Sequence, residues 1–364
     1  MRITKVLVYS MVMALFMAAC QQKQTLLLIE AENAAITYSG RMAQSKSGGV
    51  DLTWSGSSVS MVFEGDSLFA ELKDEKGENY FNVIIDDDSI RVLKIDSLKR
   101  RYLLAAGLSD HSHKVALFKR TEWHNGRTTF YNFQLKGAKP TVSKIARQSR
   151  KMEFYGNSIT AGYAVEDTTG MDAPDSTLTN HYLSYAAVAA RHFNADSHSI
   201  CKSGIGVMVS WFPLIMPEMY DREIPEDSTS QWEFERFTPQ VVVVNLFQND
   251  SWLIEQPAHP QFKARFGTDK PTAEMIVKSY QEFIAQIRTQ YPKASIICLL
   301  GNMDITRTDS LWPLYVTEAV SNMSDENIFT LTVPYKETSG HPSVIEQQLI
   351  ADHLIAFIEK NIPW

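Results

Sequence analysis

What most constrains this chain is a change of hydrophobic period near residue 140. From about residue 28 to 138, apolar residues alternate in short runs: "SSVSMVFEG", "SLFAELKD", "YFNVIIDDD", "SIRVLKI", "KVALFKRTE" and "TTFYNFQLKG". Gly, Asp and Asn punctuate them, and helical periodicity is largely missing. Closely spaced alternating strands predict a β-sandwich or jelly roll over 28–138. From residue 151 onward, strand-like runs alternate with helical ones. "KMEFYG", "ADSHSICKSG", "PQVVVVNLFQND" and "ASIICLLGN" read as strands. "LTNHYLSYAAVAARHFN", "TAEMIVKSYQEFIAQIRTQYP" and "SVIEQQLIADHLIAFIEKN" read as helices. In the last of these, Ile345, Leu349, Ile350, Leu354, Phe357 and Ile358 are expected to share one buried stripe. The near-continuous valine run is the pattern of a parallel strand covered on both faces. This alternation predicts a three-layer α/β/α domain with a parallel sheet over 151–364. Between the two lies "KPTVSKIARQSR" (139–150), polar and basic, which reads as a linker. At 364 residues the chain is long enough for two cores.

The chain begins with "MRITKVLVYSMVMALFMAAC". A basic start, an apolar run from Val6 to Phe16 and small residues before Cys20 describe a secretory signal. The apolar run is shorter than the roughly 20 residues of a spanning helix. The segment resembles a bacterial lipoprotein signal. That resemblance implies cleavage after residue 19, a lipid on the Cys20 sulfur and a short polar tether over 20–27. It also implies an exported lipoprotein of the bacterial cell envelope, at the outer membrane, touching the membrane only through that lipid. Without Arg2 and Lys5, 33 of the 35 basic residues remain against 42 acidic ones, a formal charge of −9. No basic field marks a nucleic-acid partner. Cys201 and Cys298 each sit in an apolar, strand-like run and read as buried small hydrophobes. Whether they pair stays open at this stage.

In open parallel sheets, ligands bind beyond the carboxyl ends of the strands. Those ends, with the start of the last helix, carry Gly156-Asn157-Ser158, Ser203-Gly204-Ile205-Gly206, Asn249-Asp250, Asn302-Met303 and Gly340-His341-Pro342. On its own, Ser158 could be a nucleophile on a tight turn or only the N-cap of a helix. A serine, a histidine, an asparagine and a glycine loop on one rim are together the kit for acyl transfer. Trp211, Trp252 and Trp312 follow strand ends as well, where aromatic rings suit stacking on sugar faces or simply fill a core. Trp252 and Trp312 are the candidate substrate contacts. His353 competes with His341 as a base but lies on a helix face. His111 and His113 suggest at most a solvated loop. The chain has no HExxH, paired CxxC, P-loop or Rossmann glycine fingerprint, so no metal or other cofactor is expected.

The ordered set "GNSI", "SGIG", "QND" and "GHP" resembles the four blocks of the SGNH (GDSL-type) hydrolase superfamily. The resemblance implies Ser158 as nucleophile and His341 as base. It also implies an oxyanion hole from the Ser158 N–H, Gly204 and the Asn249 amide. Upstream, "WSGSSVSMVFEGDSLFAELKD", "NVIIDDD" and "GRTTFYNFQLKGA" look like the N-terminal jelly roll of carbohydrate esterase family two. The chain is similar to that family over nearly all of its mature length. The implied activity is removal of O-acetyl groups from plant polysaccharides of the xylan or mannan type, or their oligosaccharides. Two alternatives accompany it: an esterase for other acyl groups, and a catalytically impaired carbohydrate-binding protein.

Three departures from the superfamily pattern stand out. Asn157 replaces the usual aspartate beside the serine. Thr338 occupies the position, three residues before the base, where many members carry the triad acid. Phe247-Gln248 replaces the usual Gly-Thr and is expected to narrow or reshape the acyl pocket. The second departure implies a Ser-His dyad, with a backbone carbonyl orienting the imidazole.

Overall fold

A computed structural model describes residues 25–364 except 110 and 147. The signal segment 1–19, the lipidation at Cys20 and most of the tether lie outside the described residues. The first region carries β1 (Thr25–Glu30), β2 (Thr37–Ser39), β3 (Met42–Gln44), β4 (Val50–Leu52), β5 (Ser58–Glu64) and β6 (Ser67–Asp74). It continues through β7 (Tyr80–Ile85), β8 (Ser89–Lys94), β9 (Arg100–Ala105), β10 (Ser112–Lys119), β11 (Thr128–Gly137) and β12 (Thr141–Ser143). These form two antiparallel sheets. One runs β3-β4-β11-β6-β9 with β1 also on β11; the other runs β12-β5-β10-β7-β8 with β2 also on β5. Inward residues such as Leu52, Phe63, Leu72, Phe81, Leu117 and Phe133 interleave between them as one core. The jelly-roll expectation holds, with two changes at its edges. β1 pairs with β11 from Thr25 onward, so the sheet begins inside the expected tether. β12 pairs with β5 through Thr141–Ser143, so the start of the expected linker is a strand.

The second region opens with β13 (Lys151–Gly156), α1 (Ser158–Ala161), α2 (Tyr185–His192), β14 (Asp196–Cys201) and β15 (Val241–Asn245). Then follow α3 (Gln248–Leu253), α4 (Pro260–Phe266), α5 (Ala273–Gln290), β16 (Ser295–Leu300), α6 (Trp312–Met323), β17 (Ile328–Thr332) and α7 (Val344–Asn361). The sheet is parallel, in the order β14-β13-β15-β16-β17. Its faces are both covered. Tyr155, Val242, Val244, Ile296 and Cys298 face α5 and α6. Met152, Phe154, Val241, Val243, Ile297 and Leu299 face α2 and α7. That two-sided burial is why Val241–Val244 shows no alternation.

Strand order reverses between β13 and β15, and such a switch point opens a crevice at the carboxyl end of the sheet. Ser158 stands at that end of β13. The expected helix at "LTNHYLSYAAVAARHFN" is shorter than its apolar pattern, because the Ser184 hydroxyl caps α2 at the Ala187 N–H. In α7 the expected stripe is corrected as well. Ile345 is 81% exposed, while Gln347 is fully buried with Ile350, Leu354 and Ile358. Gln347 replaces apolar contact with hydrogen bonds: its amide donates to the Ile159 carbonyl (2.9 Å) and accepts the Tyr185 N–H (2.9 Å). It thereby ties α7 to the short helix that begins at Ser158.

Cys201 and Cys298 are free and buried. β13 and β15 lie between their strands, which places them about 14 Å apart at ordinary strand spacing. A disulfide cannot span that distance. Burial pushes the Cys298 thiol up to about 12 and the Cys201 thiol higher still.

Candidate active site

Ser158 is the first residue of α1, and Asn157 caps that helix by accepting the Ile159 N–H at 3.0 Å. The residue in the usual aspartate position therefore does backbone work. Ser158 is 6% exposed. Its hydroxyl lies 2.8 Å from His341 Nε2. His341 precedes α7 on a loop, and its other ring nitrogen, Nδ1, lies 2.8 Å from Asp172 Oδ2. The same carboxylate accepts the His341 backbone N–H through Oδ1 at 2.7 Å.

An ionised carboxylate only accepts, so Nδ1 carries the ring proton and Nε2 presents its lone pair to the Ser158 hydroxyl. Burial alone would raise the Asp172 carboxyl. The hydrogen bonds from the His341 ring and backbone outweigh it and hold the group below the usual carboxylate range. The loop approach is tight: a Cβ on Gly340, at φ +69°, would sit 2.7 Å from the Gly170 carbonyl and 2.9 Å from Asp172 Oδ1.

This arrangement corrects the expected dyad. A carboxylate, not a backbone carbonyl, orients the imidazole, and it comes from the segment after α1. Thr338, at the position where the superfamily resemblance would place an acid, has another task. Its hydroxyl donates to Glu346, and Lys336 Nζ reaches the Thr338 hydroxyl (2.6 Å) and the Ser339 carbonyl (2.9 Å). These bonds pin the segment leading to His341.

Across the switch point, Asn249 sits in the first turn of α3 rather than on a free loop. Its Nδ2 donates to the Ile205 carbonyl at 2.8 Å, and its Oδ1 accepts from Trp211 Nε1 at 3.0 Å. The indole fixes which way the amide points and leaves Nδ2 a second N–H for a ligand. Gly204 takes φ +83°, as expected of a loop glycine. Gly206 is there for a different reason: a Cβ on it would meet the Val209 carbonyl at 2.1 Å and Asp250 Oδ2 at 2.5 Å.

Asp250 Oδ1 collects the N–H groups of Val207 (3.1 Å), Met208 (2.7 Å) and Val209 (3.1 Å), tying this loop to α3. Burial pushes its carboxyl up to about 6, against the downward pull of those N–H groups. An aspartate in an unfolded chain titrates near 3.9. Between about pH 4 and 6 the folded protein therefore keeps a proton that the unfolded chain has lost, and stability falls as pH rises through that window. Asp250→Asn retains Oδ1 for all three N–H groups and cannot titrate. We expect urea unfolding of this variant to lose about 3 kcal/mol of pH dependence between pH 4 and 6. An unchanged slope would assign that titration to another group.

The remaining expectations divide. Phe247 is fully buried at φ +76°, with its ring 4.8 Å from that of Tyr280 and 4.9 Å from that of Trp312. Gln248 accepts the Ile305 N–H at 3.3 Å. The Phe247 ring thus packs against α5 and α6, and Gln248 holds the segment that leads into α6. Trp312 is only 9% exposed and packs on Phe247, yet it also lines a cleft shared with Trp252, Asp304 and Arg307. Trp252 stays at the rim, with Nε1 donating to Asp304 Oδ2 at 3.2 Å. It helps line a cleft of about 450 Å³ with Asp172, Asp304, Arg307, Tyr335 and Gly340, next to the triad. Trp211 is 43% exposed beside Gly204 and Asn249. His353 accepts nothing from the site; its Nδ1 pairs with the Leu349 carbonyl at 2.9 Å. His113 lies on β10, buried, with Nδ1 2.7 Å from Asp86 Oδ2, which replaces the expected solvated loop.

Comparison with known proteins matches the first region to a family model and nearly the whole chain to individual relatives. The family model described as Carbohydrate esterase 2 N-terminal matches residues 38–143. The Cellulase/esterase CelE of Acetivibrio thermocellus is 32% identical over 346 residues, 92% of this chain and 40% of that protein. The chain thus spans about two fifths of that relative. An Acetylxylan esterase / glucomannan deacetylase of Cellvibrio japonicus is 22% identical over 96% of both chains. A solved structure of a family two carbohydrate esterase from Clostridium thermocellum, in complex with cellohexaose, superimposes with a TM-score of 0.79 at 32% identity. That match covers 89% of this chain and 98% of the other.

Proposed function

Because the chain belongs to carbohydrate esterase family two, we propose that it is a serine esterase that removes O-acetyl groups from plant polysaccharide of the xylan or mannan type. The observation that carries this reading is the relay from Ser158 Oγ through His341 to Asp172, both steps 2.8 Å, at the sheet's switch point. In it, the Ser158 hydroxyl attacks the acetyl carbonyl while His341 Nε2 takes its proton. The Ser158 and Gly204 N–H groups and the spare Asn249 N–H receive the oxyanion. His341 returns the proton to the departing sugar oxygen, and water, activated by the same imidazole, hydrolyses the acetyl-enzyme. Asp172 stays ionised and steadies the imidazolium.

The relatives named for acetylxylan and glucomannan support the substrate class. Trp252, at the cleft beside the triad, suits a sugar face. In the same reading the protein is exported and held in the bacterial envelope by lipid on Cys20, as an outer-membrane lipoprotein. The deciding experiment is acetate release from acetylated xylan, mannan and pectin, beside a series of aryl esters from acetate to octanoate. We expect release from xylan or mannan and a preference for the two-carbon ester. Faster turnover of the octanoate would assign another acyl group. Polysaccharide binding without any ester turnover would assign a binding protein.

A further inference from the structure

The catalytic serine, the histidine and the aspartate all come from the α/β domain, yet the oxyanion loop is also held from the jelly roll. Glu122 follows β10 and is 1% exposed. Its Oε2 accepts the Ser203 N–H at 2.6 Å, and its Oε1 accepts the Ser203 hydroxyl at 2.5 Å. The backbone that presents Glu122 is itself anchored: the buried Lys119 Nζ donates to the carbonyls of Thr121 and Glu122, each at 3.1 Å. The adjoining Trp123 is buried as part of the core of the α/β domain. On the loop side, the Lys202 ammonium sits 4.4 Å from the Trp123 ring and 4.4 Å from the Phe212 ring. Lys202 and Ser203 are thus both clamped by jelly-roll residues.

We propose that Glu122 is a positioning residue for the oxyanion hole, so that the jelly roll supplies part of the catalytic geometry. The link is the peptide plane between Ser203 and Gly204. That plane carries the Gly204 N–H, the donor assigned to the oxyanion in the proposed function on which this inference rests. On one side Glu122 fixes both the backbone N–H and the hydroxyl of Ser203 with charge-assisted bonds. On the other side the Trp211 N–H holds the Gly204 carbonyl at 3.1 Å. The planes on either side are thus held, and the Ile205 N–H closes the turn onto the Lys202 carbonyl at 3.2 Å, which limits how far the plane between them can turn. An oxyanion donor must lie about 2.7–3.1 Å from where the charge develops, so a small rotation of this plane removes its effect on the transition state. Ground-state binding of the acyl group needs no such alignment. Loss of Glu122 should therefore act on kcat.

The test uses the full chain with an aryl acetate, measuring kcat and KM alongside circular dichroism and melting temperature. Glu122→Ala is expected to lower kcat about 30- to 100-fold, at or just below the loss of a whole oxyanion donor (about 10²–10³), with KM changed less than threefold. Glu122→Asp keeps the charge but withdraws the carboxylate by one methylene, and is expected to lose nearly as much. Glu122→Gln can still accept the Ser203 N–H and turn its amide toward the hydroxyl, so kcat should recover to within about fivefold of wild type. A residue serving only charge balance or stability would give the reverse: rescue by Asp, failure of Gln, and losses that follow the folded fraction. That result, or folded Glu122→Asp with kcat within twofold of wild type, overturns the proposal even if Glu122→Ala fails to fold. Wild-type turnover separates this from the underlying reading. If the wild type turns over and the variants match it, only the role of Glu122 falls; a wild type inert toward the ester removes both.

Discussion

Ser158→Ala is expected to lower kcat on an aryl acetate by at least about 10⁴-fold and to abolish covalent labelling by a fluorophosphonate. The size follows from how the relay divides its work. His341 has one proton to take, and the Ser158 hydroxyl is the group 2.8 Å from its Nε2. Without that oxygen no acetyl-enzyme forms, and the rate left is what an oxyanion hole can do for direct attack by water. For enzymes of this type, about 10³–10⁴ over the uncatalysed reaction survives loss of the nucleophile. Folding should be unaffected, because α1 is capped by Asn157 and the Ser158 side chain bonds only His341 among the described residues. Binding of an acetylated oligosaccharide, measured by calorimetry, should persist within a few-fold. Near-full activity of the variant would remove Ser158 from the mechanism.

Three of the residues gathered at the site were legible in the sequence for one physical reason. Ser158, Asn249 and His341 each stand where a strongly periodic element begins or ends, and such ends meet at one rim of a parallel sheet. Asp172 has no such marker. It lies in "VEDTTGMDAPDST", a turn-rich stretch where Asp167, Asp172 and Asp175 look alike, and only the folded loop distinguishes them. In that loop Asp167 spends its carboxylate on Thr169 and Ala173, and Asp175 caps the turn at Thr177, which leaves Asp172 to His341.

Gln347 was hidden for a related reason. Hydrophobic periodicity ranks a glutamine as solvent-facing, and its burial depends on two backbone partners contributed by other elements. Trp312 is ambiguous for a different reason, since an aromatic after a strand reads the same whether it meets a sugar or Phe247, and here it packs on Phe247 while lining a cleft. Among the strands that no quoted run named, β9 and β12 are edge segments rich in charge or hydroxyls, where packing does not impose alternation. Glu122 and the jelly-roll clamp on Ser203 join residues from different domains and were not marked by either segment.

Asp172→Asn is expected to cost about 10³–10⁴ in kcat with little change in KM, and more than Asp172→Ala. The order is the informative part. The structure gives Asp172 two duties: it accepts the Nδ1 proton of His341 through Oδ2 and the His341 backbone N–H through Oδ1. An asparagine fills the same space and keeps the second bond through its oxygen. Its amide then offers hydrogens where the ring needs an acceptor, which selects the tautomer with the proton on Nε2. That form points an N–H at the Ser158 hydroxyl and cannot serve as base. An alanine imposes no wrong tautomer; water enters beside a carboxylate that was already 30% exposed, and the cost is lost orientation and lost support for the imidazolium. We expect about 10²-fold for that variant, by removal of one charged partner of a developing charge. A dyad steadied by a backbone carbonyl would lose less than about tenfold in both variants, because Asp172 would then be a bystander. Steady-state kinetics on one aryl acetate, with fluorophosphonate labelling to count reactive serines, separates these outcomes. Equal and small losses would return the site to a dyad, whereas a large loss in Asn exceeding that in Ala fixes Asp172 as the acid of a triad whose third member is far in sequence from its histidine.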